Sequence, residues 1–184
     1  MQLTGSDRWV TTLLRDRDLY CKTPLFQGEH YFDDNLVLIL HEMAERYGEV
    51  VVTSSYRTAA ANLAAGGAAN SQHLYGKAVD VRPVSKFEFE RMMADLVQGG
   101  SFYQFCWARG MRGLGLYRNW VHIDVREGDE LATWDLAGGQ WGEGYAETTQ
   151  GVDDTVNDVV DGFGGWTLLG VLGIGLLVWK YVLR

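Results

Sequence analysis

Three residues of this chain have the chemistry of a metal site. His73 and Asp80 lie together in Ser71-Gln-His-Leu-Tyr-Gly-Lys-Ala-Val-Asp80, and His122 lies in Trp120-Val-His-Ile-Asp124. Imidazole nitrogen and carboxylate oxygen both suit zinc, and a catalytic zinc takes three protein ligands and keeps one position open. Gly76 between the first two residues allows a sharp turn. A lone histidine beside an apolar strand is more often packed or at the surface than a ligand. An aspartate within Ala78-Val-Asp-Val81 is harder to dismiss, because a carboxylate in a buried layer needs a cation or donors. A second histidine motif fails on inspection. His41-Glu-Met-Ala-Glu45 begins like HExxH but ends in Glu45, so His41 is read as a helix-surface residue, and His30 has no partner at ligand spacing.

The elements that must position these residues follow from periodicity. Leu36, Leu40, Met43 and Tyr47 recur at helical spacing, predicting a helix over 35–47 with Gly48 as its stop. Glu49–Ser54 is rich in β-branched residues and reads as a buried strand. Thr58–Ala65 reads as a helix broken by Gly66-Gly67, which leaves His73 in a loop. Ala78–Arg82 reads as a strand that Pro83 ends. A helix over 86–98 with Ser85 as cap follows, then strands over 113–117 and 120–126. Alternation in the last strand places Trp120, His122 and Asp124 on one face and Val121, Ile123 and Val125 on the other. The three ligand candidates can therefore converge at one end of a small sheet.

The pattern Ser-x-His-x-x-Gly-x-Ala-x-Asp with a later Trp-x-His resembles the D-Ala-D-Ala carboxypeptidase and phage endolysin group of zinc peptidases, which shares its core with lysostaphin-type peptidases and the hedgehog domain. The resemblance runs from about Val50 to Arg126 and includes Ser54-Ser-Tyr-Arg-Thr58 and Gly113-Leu-Gly-Leu-Tyr117. It implies an α+β fold, a small antiparallel sheet with flanking helices. It implies one zinc ion on His73, Asp80 and His122, with peptidoglycan stem or cross-link peptides as substrates. Arg57 matches an arginine of the group that lies near the metal and contacts substrate, and a planar guanidinium suits a carboxylate or polarised carbonyl; a structural salt bridge is the alternative. Ser71, Gln72 and Trp120 are placed behind the ligands as residues that orient them. Many members carry an acidic residue three positions before the last histidine, where this chain has Asn119. Asp124, on the His122 face, is then the candidate general base or the residue that orients His122.

The remainder of the chain bears on location. Of 184 residues, 47% are hydrophobic, enough for one domain with a core, and the net charge of −8 argues against nucleic acid as a partner. Cys21 and Cys106 form no CxxC pair, and Cys106 sits in an apolar context that favours a buried thiol. Residues 1–34 read as an irregular N-terminal extension packing on the core, 35–141 as the peptidase domain and 142–162 as an acidic linker. Residues 163–184 read as a transmembrane anchor, its uncharged run Phe163–Trp179 carrying Trp166 and Trp179 near its ends, with Lys180 and Arg184 beyond it. The opening residues lack the basic start and apolar run of a secretory signal. The expectation is a membrane-anchored murein peptidase, delivered by a phage virion or at lysis, with lipid and virion or membrane proteins as partners. The alternatives are a catalytically silent, zinc-stabilised wall-binding domain and a structural membrane protein.

Overall fold

The computed structural model describes residues 1–23, 26–140 and 142. In chain order its elements are β1 (Gln2–Leu3), α1 (Asp16–Leu19), β2 (His30–Tyr31), α2 (Asp34–Tyr47), β3 (Val50–Ser54) and α3 (Ala59–Ala64). A 3₁₀ turn (Gln72–Tyr75) precedes β4 (Ala78–Pro83), α4 (Lys86–Gln98), α5 (Ser101–Ala108), β5 (Gly113–Leu116), β6 (Val121–Asp124) and β7 (Ala132–Asp135). The main helices start where the sequence supplies a cap. Asp33 accepts from the Asn35 N–H at the head of α2, and Ser85 accepts from the Glu88 N–H at the head of α4.

Five strands form the main sheet in the order β3-β4-β6-β5-β7. Four of them are antiparallel neighbours, as expected, but β7 pairs with β5 in parallel. The sheet is therefore mixed at one edge. The cause is the route of the chain. Asp124 at the end of β6 lies opposite Gly113, and Gly113 is also opposite Ala132 at the start of β7. The loop after β6 thus passes over one end of β5 and re-enters the sheet in the direction of β5.

Alternation divides the sheet into a core face and a site face. Val79 and Val81 of β4, Val121 and Ile123 of β6 and Leu114 of β5 are buried in one cluster with Leu36, Leu40 and Met43 of α2, Phe89, Met92 and Met93 of α4 and Phe102 of α5. Asp80, His122 and Asp124 point the other way. Pro83 is the last residue of β4, and its pairing with Val50 lies beyond the point where the β6 ladder stops at Val81. Its missing N–H therefore leaves no β6 carbonyl without a partner.

In β3 the register shifts between Val52 and Ser54, so that Val52 faces Val81 and Ser54 faces Asp80. A bulge of this kind re-aims the strand, and here it brings Ser54 and the following Ser55-Tyr56-Arg57 alongside Asp80. The N-terminal extension contributes Leu3, Leu14 and Leu19 to the core cluster, whereas Trp9 and Leu13 are exposed. It is less irregular than its sequence suggests, because Asp16 gathers it. The buried Asp16 carboxylate accepts from the Thr4 and Gly5 N–H groups and from Arg8. Cys21 and Cys106 are both buried free thiols.

The acidic linker and the apolar run 163–184 lie outside the described residues. No helix among the described residues is long and apolar enough to cross a membrane.

Candidate metal centre

Each of the three ligand candidates arrives on a different element. His73 sits in the 3₁₀ turn, which Gly76 closes at φ +65°. A side chain at Gly76 would also overlap the Tyr31 carbonyl, so the turn needs glycine for both reasons. Asp80 is central in β4 and directly opposite His122 in β6. The loop carrying His73 is tied to the chain after β3 by the Arg57 N–H, which donates to the His73 carbonyl at 3.1 Å.

The convergence is tight. His73 Nε2 lies 3.2 Å from Asp80 Oδ1 and 3.2 Å from His122 Nδ1, and His122 Nδ1 lies 2.8 Å from Asp80 Oδ1. All three residues are buried, with relative exposures of 2, 7 and 8% for His73, Asp80 and His122. The far nitrogen of each histidine is already committed. His73 Nδ1–H donates to the Ser55 carbonyl at 2.5 Å, and His122 Nε2–H donates to Asp124 Oδ2 at 3.1 Å. A backbone carbonyl can only accept, so His73 carries its proton on Nδ1 and turns a lone pair inward from Nε2. By the same reasoning His122 turns a lone pair inward from Nδ1. Two nitrogen lone pairs and one carboxylate oxygen therefore face a common point.

This donor set fits zinc. Zinc bonds of about 2.0–2.1 Å in a tetrahedron place neighbouring ligand atoms about 3.3 Å apart, close to the separations here. Outer partners that fix the tautomer of each ligating histidine are the usual companions of such sites. The electrostatics agree. Burial would raise the Asp80 carboxyl, but hydrogen bonds with His122 and His73 hold it well below the usual carboxylate range. Burial would likewise lower His122, but Asp124 and Asp80 reverse this and raise it. The field that draws a proton to His122 also draws a cation.

Asp124 has no exposed surface. Arg126 donates to it through Nε at 2.7 Å and Nη2 at 2.5 Å, while His122 occupies Oδ2. Against the effect of burial, Arg126 and His122 bring its carboxyl down to about 2. The carboxylate stands over Gly113, where any Cβ would overlap it. Arg57 donates from Nη2 to Asp80 Oδ2 at 2.5 Å and from Nε to Ser54 Oγ at 2.8 Å, while still lining the cleft. It is thus both an ion-pair partner of a ligand and a wall of the site. Ser71 and Gln72 hold the His73 turn through backbone carbonyls, which accept from the Leu74 and Lys77 N–H groups. Trp120 stacks on Tyr117 at 4.8 Å and 14°.

The ligands open onto a cleft of about 500 Å³. Tyr117, Trp120 and Trp134 line it together with Arg57 and the 65–72 loop. Among the described residues its lining carboxylates are Asp80 and Asp124. Sequence reasoning did not single out Arg126, Tyr117 or Trp134. Arg126 was within reach of it, since alternation continues from His122 through Asp124 to residue 126. His41 is half-buried on α2, away from the ligand set. His30 is buried, with its ring nitrogens bonded to the Cys21 N–H and the Tyr31 carbonyl.

Comparison with individual curated proteins gives no match. Residues 21–124 match the family model for peptidase M15, the D-Ala-D-Ala carboxypeptidase group of zinc peptidases. That span takes in β3, β4 and β6 with all three ligand candidates, and it exceeds half of the chain. With its His-Asp-His centre at the junction of those strands, this chain belongs to the peptidase M15 family.

Proposed function

We propose that the chain is a zinc-dependent peptidase that cleaves stem or cross-link peptides of peptidoglycan and is attached to a membrane by its C-terminal apolar run. The observation that carries the enzymatic reading is the convergence of the His73, Asp80 and His122 lone pairs at the floor of an open cleft, each histidine locked by an outer acceptor. The chemistry a zinc ion supplies in such a site, when bound, is Lewis acidity toward a carbonyl and acidification of a water molecule. Asp124 positions His122 and strengthens it as a ligand, since its oxygens are engaged by His122 and Arg126. Of the two roles the sequence leaves to Asp124, the geometry favours this one. Arg57 steadies Asp80 and lends positive charge to the cleft wall, where a substrate carboxylate or polarised carbonyl would be held. Membrane attachment rests on the sequence of residues 163–184.

One observation favours a second reading. Asn119 occupies the position where the sequence group commonly has an acid, and the two carboxylates of the cleft are both engaged. A zinc-stabilised domain that binds wall peptides without cutting them would have this appearance. One experiment separates the two. Purified peptidoglycan is incubated with zinc-replete protein, with and without a chelator, and the muropeptides are analysed by mass spectrometry. Chelator-sensitive loss of a terminal residue or a cross-link supports the peptidase. Binding to the wall with unchanged muropeptides overturns it in favour of the silent domain.

A further inference from the structure

The family match ends at residue 124, but the wall of the cleft does not. Trp134 is supplied by β7, the parallel edge strand, and its ring lies over Gly115, where any Cβ would overlap the indole. That close approach brings the indole against the His122 ring, with centroids 5.1 Å apart at 46°. The indole N–H is not free for a ligand, because Trp134 Nε1–H donates to the Tyr117 hydroxyl at 3.1 Å. Tyr117 in turn stacks on Trp120. The three rings line the cleft beside the ligand atoms, together with Arg57 and the small residues Gly66, Gly67 and Ala68.

We propose that Trp134 is a specificity-determining residue of the cleft, packing against a C–H-rich face of the substrate next to the bond that is cut. Resting on the peptidase reading above, the inference assigns recognition within that site. Its chemistry follows from the wall. The Trp134 donor is used internally, so its ring offers a π face and apolar area rather than a hydrogen bond. Charged groups of the substrate are left to the guanidinium groups that line the cleft, Arg57 and Arg126, the latter 5.9 Å from the Trp134 ring centroid. Such a face can come from an aliphatic side chain of the stem peptide or from the ring of the attached sugar. Trp134 is half-buried, with one part packed on Gly115 and another lining the cleft.

The test compares full-length wild type with Trp134→Ala and Trp134→Phe. Each is assayed zinc-replete on a free stem peptide and on the same peptide carrying its muramyl sugar. The expected result for Trp134→Ala is a fall in kcat/KM of about 10-fold or more, carried mainly by KM, as for loss of binding shared by ground and transition states. Trp134→Phe recovers most of it; zinc affinity stays near wild type in both, while Tm falls in Trp134→Ala through the packing lost over Gly115. A penalty on both substrates assigns the peptide side chain, and a penalty confined to the muramyl substrate assigns the sugar. Unchanged KM on both substrates overturns the inference, as does a loss that tracks weakened zinc binding. If wild type cleaves neither substrate, the peptidase reading fails first. Calorimetric binding of the same muramyl peptide then decides Trp134: about 10-fold weaker binding in Trp134→Ala supports it, and equal binding overturns it.

Discussion

Asp124 is enclosed: His122 takes one oxygen, the Arg126 guanidinium spans both, and Gly113 leaves the space in which the carboxylate sits. A group held in this way can act on the metal centre through the imidazole. Asparagine at position 124 would keep the shape and one acceptor, but it would remove the charge that raises the basicity of His122 and that pairs with Arg126. Asp124→Asn should therefore weaken zinc about 10- to 100-fold, the usual cost of losing an outer partner of a ligating histidine. The check is a zinc titration of hydrolytic activity. If Asp124 positions His122, activity returns toward wild type as zinc is raised. If it takes the proton from water, activity stays low at saturating zinc while zinc affinity is unchanged. The sequence made Asp124 visible through strand alternation, but it left two roles open, because the partner on the far side of the carboxylate decides between them. Arg126 is that partner.

At the scale of elements, legibility depended on where the stabilising contacts lie in sequence. Helix α4 was readable because its cap, Ser85, immediately precedes it and Phe89, Met92, Met93 and Leu96 repeat at helical spacing. Helix α5 was not. Its opening N–H groups on Phe102 and Tyr103 are satisfied by Asp95 from the previous helix, across a Gly99-Gly100 pair that reads as a break. Strand β7 was missed because it is short and at an edge, and its parallel partner cannot be inferred from local pattern. The N-terminal extension conceals a further device. His30 donates from Nδ1 to the Tyr31 carbonyl and accepts the Cys21 N–H at Nε2, so only the neutral ring fits. It stacks on Tyr56, between Ser55 and Arg57. Burial lowers its pKa, only partly offset by the Tyr31 bond and the Asp16 charge. The folded-state pKa thus lies below the unfolded value of about 6.5. Stability from this group is complete above that value and is lost as pH falls through it toward the folded pKa, by at most about 1.4 kcal/mol per pH unit. Urea melts from about pH 7 to about pH 5, with zinc saturating so that His73 and His122 stay loaded, should show this slope in wild type. His30→Gln should flatten it. Parallel slopes in the two proteins would show that His30 does not carry the acid sensitivity.

For the whole molecule, charge and apolarity make opposite demands on location. A net charge of −8 disfavours approach to anionic headgroups, whereas the uncharged run from Phe163 to Trp179 favours hydrocarbon irrespective of headgroup charge. The two tendencies are separable, since attraction between charges is screened by salt and burial of apolar side chains is not weakened by it. The full-length protein should float with vesicles of neutral phosphatidylcholine to the same extent at low and high salt. Leu172→Arg puts a charge near the middle of the run, at an insertion cost of about 2.5–3.5 kcal/mol, so flotation should fall sharply while zinc binding is retained. Flotation that survives this substitution, or that disappears at high salt in the wild type, would remove the anchor from the proposal. Anchorage would matter for catalysis as well as for address. A peptidase whose substrate is an immobile network works at the concentration its attachment imposes rather than its concentration in bulk. Loss of flotation in Leu172→Arg should therefore slow digestion of intact envelopes more than digestion of soluble muropeptides.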